Sequence, residues 1–263
     1  MRTDQKEIEV ALLIYSEKPE EVISDIESLE SFPSFLIVPE NSVLIHDIYF
    51  DTLNNELKEN NFSLRVRNSN GSLLLTLKGN AKSTEWGGVE RLEIEMPWSI
   101  EALTKIDDEL SNRNIKLLKN DPLNENDDPV KILTDSGLKI IQDRKNHRRI
   151  RNVIKKDQNE ETLAELAIDS VTFKFSSQNI TFNEVEIESK ASRSSFIIES
   201  LVNLLIEKFK PKLRRWQHSK LLTGKIIEKL FYDGLLSGLV DDSDNLLPQA
   251  FDKIDAHIKT SDF

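Results

Sequence analysis

The sequence predicts an α+β protein whose antiparallel sheet has one charged face and one apolar face, with helices covering the apolar face. Residues 182–188 carry this prediction most clearly, because carboxylates alternate there with apolar residues at the period of two that a β-strand imposes. The same alternation recurs along the chain, with acidic or basic residues on one face. Neighbouring carboxylates repel each other, so cations should lie opposite them and the charged faces should meet inside.

The charged positions divide into acidic and basic sets. The acidic positions are Glu7 and Glu9, Glu93 and Glu95 (which follow Arg91 at the same spacing), and Glu184, Glu186 and Glu188. The basic positions are Arg65, Arg67 and Lys78. On a single strand this pattern is typical of the solvated face of an antiparallel sheet. Its repetition over several strands favours an enclosed face, where charges must pair or bind ions.

The first half of the chain is predicted to be mainly strands. These span residues 6–14, 43–50, 62–67, 73–78 and 90–96, with a helix over 19–29 and a loop around Pro33 and Pro39. Asn68 to Gly71 is a strong turn signal, so the strands on either side of it should form a hairpin.

The second half mixes strands and helices. A helical insertion near residues 99–137, with helices over 100–118 and 130–136, precedes a long strand or strand pair over 138–154. Of the arginines in that strand, Arg144 is the preferred candidate for the charged face, and the run from Arg148 to Arg151 could be exposed. Strands over 164–175 and 182–188 then lead to a helix over 194–208 and another that ends near Leu230. We assign residues 1–222 to one domain and residues 223–263 to a helical appendage.

Composition limits the possible functions. The chain has 263 residues, a net charge of −11 and no cysteine, so disulfides and thiolate metal sites are excluded. The acidic balance argues against nucleic-acid binding, which usually needs a basic surface. No apolar run approaches the roughly 20 residues of a membrane helix, and the N-terminus lacks the apolar stretch of a signal peptide. We therefore expect a cytoplasmic protein that binds neither nucleic acid nor membrane.

The charged face itself indicates the ligand chemistry. Carboxylates suit hard divalent cations, which take oxygen ligands, and arginines suit phosphate oxygens, which they can bind through two parallel hydrogen bonds. Both groups on one enclosed face predict a site for a metal complex of a polyanion. The four histidines show no metal-ligand spacing, and neither a phosphate-binding glycine loop nor a nucleophile elbow is present in the sequence.

Several short motifs along the chain together resemble those of one protein family. In order, they are Glu7-Ile8-Glu9, Tyr49-Phe50-Asp51-Thr52, Leu64-Arg65-Val66-Arg67, Leu75-Thr76-Leu77-Lys78-Gly79, Arg91-Leu92-Glu93-Ile94-Glu95, Arg144, Asp169, Glu184-Val185-Glu186 and Ser219-Lys220. Over about residues 5–222 this succession resembles the CYTH family, the triphosphate tunnel metalloenzymes. Inorganic triphosphatases, thiamine triphosphatases and class IV adenylate cyclases belong to that family. The resemblance implies an eight-stranded antiparallel β-barrel with a charged tunnel.

The resemblance also implies roles for individual residues. Ligands of a divalent cation, Mg²⁺ or Mn²⁺, would be Glu7, Glu9, Glu93, Glu95, Asp169, Glu184 and Glu186. The cradle for a triphosphate-containing small molecule would be Arg65, Arg67, Lys78, Arg91, Arg144 and Lys220. The catalytic set would be Glu9, Glu186, Arg65, Arg67 and Lys78.

The sequence departs from the family at Ala11, where the family's first strand has a lysine that contacts phosphate. This departure predicts slow turnover of inorganic triphosphate, or preference for a substrate that is bulkier at that end. The first candidate function is a metal-dependent hydrolase of inorganic triphosphate, because the sequence contains no legible pocket for an organic base. A barrel that binds polyphosphate or a nucleotide with little or no turnover is the alternative, and cyclase-like activity is a third possibility.

Overall fold

The structure is a computed structural model that describes residues 5–83, 89–117, 127–156, 161–176, 178–190 and 195–260. This part of the chain contains eleven strands and seven helices. The strands are β1 (Gln5–Ile14), β2 (Ser31–Phe32), β3 (Phe35–Pro39), β4 (Val43–Thr52), β5 (Phe62–Ser69), β6 (Ser72–Ser83), β7 (Val89–Pro97), β8 (Leu138–Lys155), β9 (Thr162–Lys174), β10 (Asn179–Ser189) and β11 (Leu213–Trp216). The helices are α1 (Pro19–Glu27), α2 (Glu56–Glu59), α3 (Ile100–Ser111), α4 (Pro129–Asp135), α5 (Ser195–Phe209), α6 (Lys220–Tyr232) and α7 (Pro248–Thr260).

The predicted α+β class with an antiparallel sheet is confirmed. Eight of the strands are long, and the other three, β2, β3 and β11, have five residues or fewer. The chain divides into two compact units. The first unit is drawn mainly from residues 44–145 and the second mainly from residues 8–43 and 146–260.

In the first unit the strand order is β8, β4, β5, β6, β7, with β8 contributing its first residues. The predicted hairpin is present as β5 and β6, where Ser69 pairs with Ser72. The two residues between them, Asn70 and Gly71, have φ values of 49° and 92°. Asparagine and glycine tolerate positive φ, which is the reason they favour this tight turn.

The apolar face of the first unit is covered by helices. Leu64, Leu75, Leu77 and Ile94 are buried, and they share one cluster with the apolar side of α3 and with residues of α2 and α4. Because side chains alternate along a strand, the neighbouring residues at positions 65, 76, 78 and 95 lie on the opposite face. The predicted division into an apolar, helix-covered face and a charged face is confirmed for this unit.

In the second unit the strand order is β11, β1, β10, β9, β8, β3, β2. The apolar face of β1, β9 and β10, which includes Leu12, Ile168 and Val185, packs against α1 and α5 in one buried cluster. Leu13, on the other face of β1, belongs instead to a cluster with Phe182, Trp216 and the buried residues of α6 and α7. The charged face of this unit therefore becomes apolar at the end that the C-terminal helices cover.

Some local predictions were wrong. The loop expected around Pro33 is a hairpin, since Phe32 pairs with Phe35 and β3 pairs with β8. The segment before α6 contains the strand β11, which pairs with β1 and was not predicted. Helix α3 ends at Ser111 and not at residue 118. None of the helices in the described residues is long and apolar enough to cross a membrane.

Candidate functional site

A buried carboxylate, Asp47, lies at the centre of a group of arginines in the first unit. Asp47 is 1% exposed. Arg67 donates to both of its oxygens, from Nε to Oδ1 at 2.7 Å and from Nη2 to Oδ2 at 2.9 Å. Arg144 donates to Oδ2 at 3.3 Å, and a guanidinium nitrogen of Arg65 lies 3.7 Å from the same oxygen. One carboxylate thus holds three guanidinium groups together.

Arg65 extends this group across the sheet. Its guanidinium donates to Thr76 Oγ1, to the hydroxyl of Tyr49 and to Glu95 Oε2, each at 3.3 Å. Thr76 also donates to Glu95 Oε2, at 3.0 Å. These four residues are direct partners across β4, β5, β6 and β7. The strand register alone therefore aligns them in one row on the charged face.

The remaining charged contacts complete what we call the arginine cluster: Asp47, Tyr49, Arg65, Arg67, Thr76, Lys78, Glu93, Glu95 and Arg144. Lys78 contacts Glu93 at 2.9 Å. Arg144 donates to the Tyr49 hydroxyl at 2.6 Å, and its guanidinium lies over the Tyr49 ring at 4.7 Å. With four cations and three carboxylates, the cluster has one positive charge in excess.

Electrostatics keep two carboxylates of this cluster, Asp47 and Glu95, ionised. Burial alone would raise the pKa of Asp47, but attraction by Arg65 and Arg67 outweighs burial and holds the pKa well below its ordinary value. Burial would likewise raise the pKa of Glu95, and the same two arginines lower it. Among the described residues, the buried Nε of Arg144 has no hydrogen-bond partner, although such donors are normally satisfied. The cluster therefore keeps one donor that an added anion could use.

The second unit contains an acidic group, Asp169, Glu184 and Glu186, which we call the acid trio. One oxygen from each residue lies within 4.8 Å of the others. Asp169 and Glu184 are direct partners across β9 and β10, and Glu186 follows two residues later on the same face of β10. Asp169 and Glu184 are almost fully buried. Three carboxylates this close require cations.

Two side chains of the second unit supply those cations. Arg148 donates to both oxygens of Asp169, at 2.8 and 2.6 Å, and also to Glu186 Oε2. The ammonium Nζ of Lys220 lies 3.0 Å from Asp169 Oδ2 and 2.5 Å from Glu186 Oε1, and it also contacts Glu184 Oε1. Lys220 is thus the single cation that contacts all three members of the acid trio in the described part of the chain.

The pKa values of Glu184 and Asp169 are shifted in opposite directions. Burial, reinforced by Glu186, outweighs the attraction of Lys220 and raises the pKa of Glu184 to about 7. Burial would also raise the pKa of Asp169, but Arg148 and Lys220 lower it. Burial would lower the pKa of Lys220, and the three carboxylates raise it. Lys220 therefore stays charged.

The donor set of the acid trio fits a divalent cation. Oε2 of Glu184 is buried and has no hydrogen-bond partner among the described residues, while Oε1 contacts Lys220. Asn146 donates from Nδ2 to Asp169 Oδ1 at 2.8 Å, while its buried Oδ1 has no hydrogen-bond partner in the same part of the chain. Carboxylate and amide oxygens are the ligands that Mg²⁺ and Mn²⁺ prefer. The acid trio with Asn146 can therefore hold such an ion.

Most of the predicted site residues lie in one of these two groups. Arg65, Arg67, Lys78 and Arg144 lie in the arginine cluster, where Glu93 and Glu95, predicted as metal ligands, contact cations. Asp169, Glu184, Glu186 and Lys220 lie together in the second unit. Glu9 is the direct partner of Glu188 on β10. The side chains of Glu7 and Arg91 lie outside the described residues.

Arg148, Asp47 and Asn146 are site residues that the sequence prediction missed. Positions 144, 146 and 148 share one side of β8, so the period of two would have grouped them. Arg149 points to the other side, where its Nε lies 3.4 Å from Glu27 of α1. Asp47 and Tyr49 likewise share one side of β4. A single carboxylate on a strand gives no clear signal in the sequence, because it is typical of a solvated face.

Ala11 occupies the position at which a lysine was expected. It is the direct partner of Glu186 on β10 and of Trp216 on β11. Directly paired residues of antiparallel strands project to the same face, so the predicted phase of β1 is confirmed. Ala11 is half-buried and packs against the apolar cluster that includes Leu13 and Trp216. Ala11 therefore lies where the charged part of this face meets its apolar part.

Comparisons with solved structures give several similar chains. A putative adenylyl cyclase from Hippeastrum, described as having a dominant triphosphatase activity, matches with a TM-score of 0.52 and 20% identity over 87% of this chain and 96% of that chain. A protein from Pyrococcus horikoshii OT3 matches at 19% identity with a TM-score of 0.47, covering 84% of this chain and 99% of its own. A putative adenylate cyclase from Bacillus halodurans matches at 19% identity with a TM-score of 0.42, covering 80% and 100%.

Comparison with curated proteins gives no match. The family model described as the CYTH domain matches residues 6–211, which is more than half of the sequence. The match includes both the arginine cluster and the acid trio, although Lys220 lies beyond its end. The chain therefore belongs to the CYTH domain family.

Proposed function

We propose that this protein is a divalent-metal-dependent hydrolase of triphosphates, with inorganic triphosphate as its substrate. The observation that carries the proposal is that one chain contains both a group of arginines and a group of carboxylates. Three guanidinium groups gather around Asp47, and three carboxylates converge within 4.8 Å in the acid trio. A metal–triphosphate complex needs both, because its phosphate oxygens seek cations and its metal seeks oxygen ligands.

The arginine cluster would bind the phosphate groups. Its excess positive charge and the unsatisfied Nε of Arg144 favour an anion. Asp47 fixes Arg67 through two hydrogen bonds, and Tyr49 fixes Arg65 and Arg144 through its hydroxyl. Donors that are already oriented do not have to reorganise when negative charge develops on a transferring phosphoryl group. Positioning and charge neutralisation would be the contribution of this cluster to the reaction.

The acid trio would hold the divalent cation. When bound, such an ion neutralises phosphate charge and lowers the pKa of water, which makes a nucleophile available at neutral pH. Arg148 would orient Asp169 and Glu186 through its hydrogen bonds, which is how groups behind metal ligands usually act.

A binding protein without appreciable turnover is the second candidate. Ala11 favours it, since the cation that the family places at this position is missing. The retained carboxylates favour the enzyme, because simple polyanion binding would gain nothing from a buried acid trio. Cyclisation of ATP, which releases pyrophosphate, is the third candidate. It is tested because the chain is similar to a putative adenylyl cyclase from Hippeastrum.

The deciding experiment measures phosphate and pyrophosphate release from inorganic triphosphate, ATP and thiamine triphosphate, each with Mg²⁺, Mn²⁺ or a chelator. We expect metal-dependent phosphate release, fastest with inorganic triphosphate. Binding of triphosphate without release would favour the binding protein, and cyclic product from ATP would favour the cyclase. Release that is equally fast in the chelator would contradict the proposed metal dependence.

Loss of Arg65 or of Arg67 should weaken triphosphate binding. We expect Arg65→Ala and Arg67→Ala each to cost about 1.5–3 kcal/mol of binding free energy, because each removes a charge-assisted hydrogen-bonding group. Titration calorimetry with inorganic triphosphate, on variants shown to be folded, measures this cost. Arg113→Ala is the matched control, since Arg113 contacts Glu109 on α3 and lies outside the arginine cluster. Unchanged affinity in both cluster variants would assign the arginines to structure alone.

A further inference from the structure

We propose that Lys220 is an internal competitor of the divalent cation. In this view, its ammonium holds the acid trio together until the metal ion takes its place. The inference rests on the proposed function, because it concerns the metal site assigned above. It goes further by giving Lys220 a second role, different from the phosphate contact that the family resemblance implies.

The position of the ammonium supports this role. Nζ of Lys220 contacts one oxygen of each acid-trio residue, and these three residues are the group whose oxygens lie close enough together to share a metal ion. The side chain is only 10% exposed, so few water molecules can share the contact. A lysine whose main task was to bind phosphate would not need to reach three carboxylates at once. The ammonium therefore occupies the centre of the donor set.

Both cations cannot use this donor set together. The three carboxylates are already partly neutralised by Arg148, which holds both oxygens of Asp169. A divalent ion bound among the same oxygens would lie within a few ångströms of the ammonium, and the two like charges would repel strongly in this buried setting. One of the two must leave when the other binds.

Lys220 is the cation able to leave. Arg148 lies within the long strand β8 and is fixed by planar, paired hydrogen bonds. Lys220 is the first residue of α6, whose start is capped by Ser219, and its ammonium is carried on a flexible four-carbon chain. Its side chain can turn away without moving the helix. The freed ammonium would then be available to a phosphate oxygen, so that metal and triphosphate would strengthen each other's binding.

The test measures binding of Mn²⁺ alone, by calorimetry and by electron paramagnetic resonance, to the full chain and to three variants. Lys220→Met removes the competing charge and should bind Mn²⁺ at least about tenfold more tightly than wild type. Lys220→Arg keeps the charge and should not show this gain. Lys190→Met is the matched control, because Lys190 contacts Glu165 and Glu188 in the same unit but no member of the acid trio. Its affinity should equal that of wild type.

Thermal unfolding provides a second readout. Lys220→Met should unfold at a lower temperature than wild type in a chelator, since its carboxylates lack their central cation, and should recover when Mn²⁺ is added. If Lys220→Met binds Mn²⁺ no more tightly than wild type does, the proposed competition between Lys220 and the metal ion is wrong. Because the metal is measured without substrate, this failure differs from failure of the proposed function, which would appear as wild-type protein that binds Mn²⁺ but releases no phosphate.

Discussion

Replacing Glu186 with glutamine is expected to lower metal-dependent phosphate release by at least about 100-fold, which exceeds the roughly 10–100-fold losses typical of groups behind metal ligands. The reason is charge. Glutamine keeps the shape of the side chain but removes one of the three carboxylates of the acid trio. The measurement is the rate of phosphate release from inorganic triphosphate as the Mg²⁺ or Mn²⁺ concentration is raised. The variant should need more metal and should turn over more slowly even when metal is abundant.

Glu188→Gln is the matched control for this experiment. Glu188 lies two residues further along β10 on the same face, where it contacts Lys190 at 3.0 Å, outside the acid trio. We expect its phosphate-release rate to remain close to that of wild type. Full metal-dependent activity in Glu186→Gln would show that the trio is not the metal site.

Replacing Asp47 with asparagine is expected to destabilise the protein by about 3–5 kcal/mol, the usual result of removing one partner from a buried ion pair. Arg67, Arg144 and Arg65 would be left around a neutral amide in a position that is 1% exposed. Urea unfolding near pH 7 measures the loss. Asp143→Asn is the control in the same unit, because Asp143 pairs with His46 but is 61% exposed. Its effect should stay within about 0.5 kcal/mol.

The pH dependence of this effect has a defined sign. The pKa of Asp47 is depressed in the folded protein, so its contribution to stability is complete above the ordinary carboxylate value of about 3.9 and falls as pH drops through the depressed pKa. The stability difference between wild type and Asp47→Asn should therefore narrow in acid. A difference that stayed constant from pH 7 to pH 2 would contradict the ion-pair explanation.

Alternation of charge with apolar residues predicted much of the fold. A period of two assigns each side chain of a strand to a face, and the buried clusters under α1, α3 and α5 confirm those assignments for β1, β5, β6 and β10. The turn at Asn70 and Gly71 could be predicted because few other residues tolerate its backbone angles. Local sequence was sufficient for these features because local sterics and burial determine them.

The sequence alone did not predict which charged side chains form ion pairs with each other. That Arg148 holds Asp169, or that Arg67 holds Asp47, depends on strand register and on neighbours more than 19 residues away. The short strands β2, β3 and β11 were missed for a related reason, since each exists because a longer strand offers it an edge. The family resemblance linked Lys220 to phosphate, but its contact with three carboxylates depends on the three-dimensional structure.

The strand β11 has a practical consequence for anyone who prepares a shortened form of this protein. The family match ends at residue 211, and β11 begins two residues later. A chain cut at that boundary would remove the strand that pairs with residues 11–14 of β1 on the side away from β10, and it would uncover Leu13 and Phe182. An open strand edge beside a fresh apolar surface invites self-association. Aggregation of such a fragment would then report a missing strand and say nothing about the chemistry of the site.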